Sequence, residues 1–418
     1  MKQFLLFLLL LFSFSSVKSQ NYDSFRVSLL TESPRPTAVW TIFGHTALRL
    51  YDPDRDIDAV LNWGTFDMEQ PNFIWRFVEG KTDYFLGAAP FEYYIMHCNY
   101  NGVKSTEQVL NIPDSEKEAL LEFLQTNLLP ENINYRYNFI FDNCTTRPRD
   151  IIERFCGGTM IYPKQTQPVT LRQLIHQYTR YYPWLELGID CVIGSGADSL
   201  VSFRYELFLP EKLMDALERS AVKLADGSEQ PVVLSSSLLF QSPDYQLPTV
   251  NHFIWNNTFV TGFVIFILYL FLVIAVYFKK QRPQLPLDFL LFTTGVGVPK
   301  ILLILFRLLP FALLFFVAGA GGCIVAMLNF FSLHPCVQSN WNILWLHPLH
   351  FIAFAGFFFR KSYQWIRWYH TVNFVLLSCF LLGWHWIPQE LNKTFIPLIL
   401  CLWVVSGLQT VVLKAKKI

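Results

Sequence analysis

The chain has 418 residues, more than one ordinary domain, and only 16% are charged against about 25% in soluble domains, while 52% are hydrophobic. The net charge of +1, with no Arg/Lys-rich face and no zinc-finger spacing, excludes nucleic acid as a partner. The bias is uneven: acids, prolines and polar turns collect in residues 20–252 and residues 258–413 are mostly apolar, so a globular half precedes a membrane half.

Residues 1–19 read as a signal peptide: Lys2 supplies the basic start, Phe4 to Phe14 the apolar stretch, and Val17-Lys18-Ser19 a small-x-small cleavage site. The alternative is a short uncleaved anchor. No cysteine lies near position 20, so the chain is not itself a lipoprotein by signal type. Residues 20–252 then form a periplasmic domain.

Within that domain, residues 25–30 and 46–50 read as short strands, the second alternating through Thr46-Ala47-Leu48-Arg49-Leu50. Ser115–Leu129 reads as a helix, with Ser115 as cap, Glu118 closing a capping box, and Leu120, Leu121 and Leu124 at helical spacing. Asn138–Asp142 is a brief apolar-aromatic run. Thr145–Phe155 is helical in pattern, with Ile151, Ile152 and Phe155 on one face, and Leu171–Tyr181 is a further helix. The fold class is mixed α+β, without an alternating βαβ array, followed by an all-α membrane domain.

Cys144 stands in Phe141-Asp142-Asn143-Cys144-Thr145-Thr146-Arg147, where a turn meets a helix. A thiol there feels the helix dipole, which favours the thiolate, and the unpaired N–H groups of the first turn can serve as an oxyanion hole. Arg147 would lower the thiol pKa further. The bland reading is a small core residue or half of a disulfide, against which the polar surroundings argue. A thiol nucleophile needs a base. His45 leads, in Phe43-Gly44-His45-Thr46-Ala47, because Gly44 lets the backbone turn just before a strand. Among its rivals, His97 sits among aromatics and reads as packing, His176 reads as solvated, and His252 abuts the membrane. Asn62, Asp83 and Asp142 are the candidates to orient the imidazole. Other hydrolytic signatures are missing: no G-x-S-x-G elbow, no HExxH and no Walker A motif. None of the eight cysteines lies in a CxxC pair, which argues against a zinc ribbon. A disulfide among Cys98, Cys156 and Cys191 is open in an oxidising compartment. No cofactor and no metal is expected.

Residues 253–418 read as a transmembrane domain of about five helices. Thr258–Phe278 carries no charge over 21 residues, and Lys279, Lys280 and Arg282 follow, so this span runs outward to inward. Leu285–Leu333 is about twice one span. It reads as one crossing near Pro310–Ser332 after a re-entrant or interfacial piece, or as two crossings; charge favours one. With one crossing, the loop His334–Asn340 is outside and Arg360, Lys361 and Arg367 are inside, and two further spans, at about His370–Ile387 and Phe395–Val412, leave the terminal lysines inside, five in all. The chain is thus a multi-pass membrane protein. His334, Asn340, Asn342, His347 and His350 are polar groups near membrane depth, which are costly and tend to be functional. Anchoring at the interface beside Trp341 and Trp345 is the preferred reading. A zinc site there lacks a carboxylate or thiolate.

Several blocks together carry a resemblance: FGHTALRL, NWGTFD, PNFIWRFVEGKTDYFL, PENINYRYNFIFDNCTTRPRDII, PWLELGID and YELFLP, then LNFFSLHP and SNWNILWLHPLH. They resemble the Lnb family of lipoprotein N-acyltransferases of Bacteroidetes, which joins an N-terminal periplasmic domain to a membrane domain. The order His-then-Cys with Asp-Asn-Cys is also similar, more loosely, to circularly permuted papain-type thiol acyltransferases. The resemblance implies an enzyme in which Cys144 and His45 are catalytic, with Asn143, Arg147, Arg49 and Thr145 in support. It implies transfer of an acyl chain from a phospholipid donor, through a Cys144 thioester, to the N-terminal amine of a diacylated lipoprotein. Two other classes stay open: a papain-like cell-wall peptidase or amidase, and a non-catalytic membrane-anchored scaffold. A wall hydrolase has no use for about five spans.

Overall fold

The computed structural model describes residues 22–278, 300–357 and 363–415; residues 1–19, where a signal peptide is expected, Lys279–Arg282, Arg360–Lys361, Lys416 and Lys417 lie outside the described residues. Contacts divide the chain into two units: one runs up to Leu174 and takes in Leu200–Thr249, the other joins Ile175–Ser199 to Val250–Ile418. The segment 175–199, which the sequence placed with the exported domain, therefore packs with the apolar helices.

The first unit is built on one antiparallel sheet. Its strands are β1 (Arg26–Glu32), β2 (His45–Asp52), β3 (Ile57–Thr65), β4 (Asp83–Pro90), β5 (Lys104–Leu110), β6 (Asn134–Arg136) and β7 (Val233–Gln241), in the order β7-β5-β1-β2-β3-β4-β6. The central strand β1 is buried at six consecutive positions, Val27 to Glu32, because both faces are covered. On one face, Leu29, Leu48, Leu61, Trp63 and Leu86 pack with helices introduced next. On the other, Leu30, Ala47 and Val60 meet Tyr94 and Cys98. Each such large side chain contributes about 1.5–3 kcal/mol on burial.

The helices of this unit are α1 (Phe73–Val78), α2 (Phe91–Tyr100), α3 (Asp114–Leu128), α4 (Thr146–Phe155) and α5 (Pro210–Glu218), apart from one short turn at Phe203–Glu206. Helix α3 presents Leu120, Leu124 and Leu128 to the core at four-residue spacing. Its start differs from the capping box read in the sequence. Pro113 occupies the cap position, no side chain caps the helix, and Ser115 falls inside the first turn. Helix α4 buries Ile151, Ile152 and Phe155, as their spacing predicts. The apolar-aromatic run Asn138–Asp142 is a turn closed by two backbone bonds between its end residues, of 2.9 and 3.0 Å. Cys98, Cys156 and Cys191 are free thiols, which removes the disulfide. The Cys156 thiol instead donates to backbone carbonyls of its own helix end.

The second unit contains α6 (Thr258–Phe278), α7 (Lys300–Phe331), α8 (His350–Gly356), α9 (Tyr363–Leu382) and α10 (Phe395–Ala415). Helices α6 and α7 carry windows long and apolar enough to cross a membrane, Thr258–Ala275 and Leu309–Phe331. Helix α7 continues through Pro310, so Lys300–Phe331 is one element; Leu285–Pro299 lies outside the described residues. Phe315, Leu377, Phe395 and Ile399 fill the centre between these helices.

The polar groups of the loop before α8 are engaged inside the unit. Asn340, Asn342 and Gln389 turn their amides onto the carbonyls of Cys191, Asp190 and Ile193, at the end of the helix Pro183–Val192. A helix leaves its last carbonyls without partners, and these amides satisfy them. His350 is fully buried: Nε2 donates to the Trp345 carbonyl at 2.9 Å, and Nδ1 accepts from the Tyr369 hydroxyl at 2.6 Å. The His347 ring stacks on it at 4.0 Å.

Candidate active site

The site starts from Asn143. Its Oδ1 accepts from the N–H groups of Thr145 and Thr146, each at 2.8 Å, and its own N–H donates to the Thr146 hydroxyl at 2.8 Å. Asn143 therefore caps α4 from its side chain. Its amide nitrogen donates to the carbonyls of Phe139 at 2.7 Å and Phe208 at 3.0 Å. Five bonds from one buried residue hold the turn on which Cys144 stands. They also correct the oxyanion hole expected from the first turn. The Thr145 and Thr146 N–H groups are occupied, and the Cys144 N–H is the one near the thiol that has no partner among the described residues.

His45 opens β2, directly opposite Glu32 of β1. Gly44 precedes it with φ +81°, and a Cβ there would lie 2.5 Å from the Glu32 carbonyl oxygen. Only glycine makes that turn. The His45 Nε2 lies 2.8 Å from Asn62 Oδ1 on β3. Of the three candidates for orienting the imidazole, Asn62 is the one at the ring. With Nε2 so engaged, Nδ1 is the ring nitrogen left for Cys144, the strongest influence raising the imidazole pKa. Gly64 is the surplus residue of a bulge, since Trp63 pairs with Leu86 and Thr65 with Phe85. Its φ is +145°, and a Cβ at that point would be 3.4 Å from both Cys144 Cβ and His45 Cε1. The thiol and the imidazole thus meet over a bare stretch of backbone.

Electrostatics follow from this packing. Burial opposes charge on both groups, yet each is stabilised by the other. For Cys144, burial pushes the thiol up; the His45 charge and hydrogen bond, then Thr145 and the Thr46 N–H, more than offset it and hold the thiol below its ordinary value. For His45, burial pulls down, while Cys144, then Glu32, then Asn62 raise it to about 9. Each group thus favours the charged form of the other. Glu32 is buried, which raises its carboxyl, but the His97 hydrogen bond and the charges of His45, His97 and Arg35 win and keep it below the usual range. The phenol of Tyr84 is pushed up to about 12, by burial and then by Cys144. Tyr135 is shifted upward by the same two causes, and its hydroxyl is buried without a partner among the described residues.

The remaining sequence candidates have other places. Thr145 is fully buried, 3.8 Å from the Cys144 sulfur and 3.2 Å from the Thr46 hydroxyl. Arg147 is engaged by Asp142 through two bonds, of 2.6 and 2.8 Å, and lies 3.6 Å over the Tyr135 ring. The pull on the thiol therefore comes from the imidazole, not from Arg147. Arg49 is away from the thiol: it pairs with Asp58 and Glu107 and covers the Phe91 ring at 3.5 Å. Asp83 is held by Arg76 and Arg136, and Asp142 by Arg147. His97 is half-exposed and paired with Glu32 at 3.7 Å, and His176 bonds Asp190 at 2.9 Å. Glu32 and Gly64 were missed in the sequence. A glycine interrupting the strand pattern at 57–65 was the available signal for Gly64.

A cavity of about 140 Å³ opens beside the imidazole, lined by Glu32, Trp40, His45, Asn62, Gly64 and Phe66 among others. Two family models match the chain: the Lnb N-terminal periplasmic domain over residues 14–177, and the Lnb transmembrane domain over residues 307–417.

The chain belongs to the Lnb family.

No curated protein and no solved structure matches it. Membership in the Lnb family makes the chain a lipoprotein-processing membrane protein with a periplasmic N-terminal part. His45, Asn62 and Cys144 all fall inside the Lnb periplasmic match, and α8–α10 inside the transmembrane match.

Proposed function

We propose that the chain is a lipoprotein N-acyltransferase working through a Cys144 thioester. The observation that carries this reading is the Cys144–His45–Asn62 constellation in a member of the Lnb family. The same order of thiol, imidazole and amide serves papain-like enzymes, and a permuted papain-type fold is part of the proposal.

In the first half-reaction, the Cys144 thiolate attacks the ester carbonyl carbon of a phospholipid. A C–S bond forms, and the carbonyl oxygen takes the negative charge. The Cys144 N–H and the Tyr135 hydroxyl, neither of which has a protein partner among the described residues, are the available donors for that oxygen. The C–O bond then breaks, and His45 Nδ1–H protonates the departing lysophospholipid. In the second half-reaction, the neutral α-amine of a diacylglyceryl-cysteine attacks the thioester. The C–N bond forms, the C–S bond breaks, and the amine proton passes to His45. The thiolate–imidazolium pair is restored. Asn62 keeps Nδ1 directed at the sulfur in both halves, and Asn143 and Thr145 hold the thiol.

The test is the intact mass of lipoprotein N-terminal peptides from cells lacking N-acylation. Wild type is expected to add one acyl chain, and Cys144→Ala none. If a correctly inserted wild-type chain adds no mass, the N-acyltransferase reading fails, and the wall-hydrolase and scaffold readings move ahead.

A further inference from the structure

Helix α1 is anomalous. Five of its six residues, Phe73-Ile74-Trp75-Arg76-Phe77-Val78, are apolar, and none is buried. Ile74 is 79% exposed, Trp75 55%, and Trp40 nearby in the same unit 56%. Its single charge, Arg76, is taken up by Gln70 and Asp83. An exposed apolar cluster of this kind marks a binding surface.

The cluster is continuous with the catalytic cavity. Trp40 and Phe66 are walls of the cavity that holds His45 and Asn62. From there, rings step outward: Trp40 to Phe66 at 5.8 Å, Phe66 to Phe73 at 5.7 Å, and Phe73 to Phe77 at 6.4 Å. The last two pairs are stacked, at interplanar angles of 14° and 22°. The result is a track of ring surfaces leading from the imidazole to exposed Ile74 and Trp75.

We propose that this track, from Trp40 and Phe66 along α1, binds one long hydrocarbon chain of a lipid while the lipid's ester lies at Cys144. A hydrocarbon chain fits because the track offers ring faces and aliphatic side chains, and its one cation is already paired. This inference rests on the acyl-transfer reading for the position of the ester, and it adds where the chain lies. Binding takes chain methylenes and the exposed rings out of water together, and each buried methylene contributes about 0.8 kcal/mol.

The test uses the full chain in detergent, carrying Cys144→Ala, with a phosphatidylcholine bearing a diazirine on a long acyl chain. Adducts are mapped by mass spectrometry. The expected result is labelling within residues 66–78 that saturates at one probe per chain. Ile74→Ser combined with Phe77→Ser should weaken that saturable labelling by about tenfold or more, as loss of two large apolar contacts implies. Both side chains are exposed, so folding is not at issue. Labelling confined to other segments would overturn the proposal. So would labelling of α1 that rises without saturating, the mark of a surface laid on lipid in bulk or on another protein. Labelling needs no turnover. Saturable labelling in a chain whose wild type forms no Cys144 thioester would keep the hydrocarbon site and remove the acyl transfer.

Discussion

Replacing His45 by glutamine removes the imidazolium and leaves an amide of similar reach in the same cavity. In the structure, burial pushes the Cys144 thiol up, and the His45 charge and hydrogen bond are the two largest opposing influences. Without them, burial is the main influence left, and the thiol moves from below its ordinary value to that value or above. Each unit of this shift is worth about 1.4 kcal/mol, and below both pKa values it removes about nine-tenths of the thiolate. Iodoacetamide alkylation of the Cys144 peptide, followed by mass spectrometry across pH, reads thiolate directly and separates this thiol from the other seven. In wild type the alkylation midpoint lies below the ordinary thiol value, so that the ion pair occupies the window up to about pH 9, where His45 loses its proton. In His45→Gln the midpoint moves up, and the rate at about pH 7 falls about tenfold or more. An unchanged midpoint in a folded variant would refute the assignment of His45 as the group that ionises the thiol.

Three further changes test the framework. Asn143→Ala removes the cap of α4 and leaves the Phe139 and Phe208 carbonyls without their donor; about 2–4 kcal/mol of stability should go, read as a lower unfolding midpoint of the full chain. Gly64→Ala forces a side chain onto φ +145° beside the dyad; a loss of about 1–3 kcal/mol is expected, with slower Cys144 alkylation, and unchanged stability and reactivity would count against the bulge as the seat of the pair. Asn342→Ala, in the second unit, uncaps the Asp190 carbonyl and removes the acceptor of the Trp345 indole N–H; about 1–3 kcal/mol should be lost in thermal unfolding while Cys144 alkylation stays as in wild type.

Local chemistry made part of this protein readable in one dimension. The 21 uncharged residues of Thr258–Phe278 have to be a helix in an apolar setting, because no other backbone form satisfies its own hydrogen bonds there. Ile151, Ile152 and Phe155 share one face by helical period alone, and Gly44 marks a turn because no other residue tolerates that approach to Glu32. The Cys144 motif stood out through its polar residues at a helix start, although the fold buries Asn143, Thr145 and Thr146 and satisfies them with hydrogen bonds. Tertiary structure decided the rest. Thr46 and Thr145 are 99 residues apart and bonded to each other, and no local pattern encodes that pairing. Strand order chose Asn62 over Asp83 and Asp142, since Asn62 stands on β3, which pairs with β2, while Asp83 opens β4, one strand further on, and Asp142 lies in a turn. Arg49 and Arg147 looked like members of the site because they share its sequence blocks. Each instead pairs with a carboxylate and covers an aromatic ring, Arg49 with Asp58 and Phe91, Arg147 with Asp142 and Tyr135, because a buried or half-buried guanidinium is stable only where a partner neutralises it. The amides of Asn340 and Asn342 read in the sequence as membrane-interface groups, and the fold sets them on the end of the helix Pro183–Val192; orphan carbonyls of one segment are satisfied by side chains that only folding brings near.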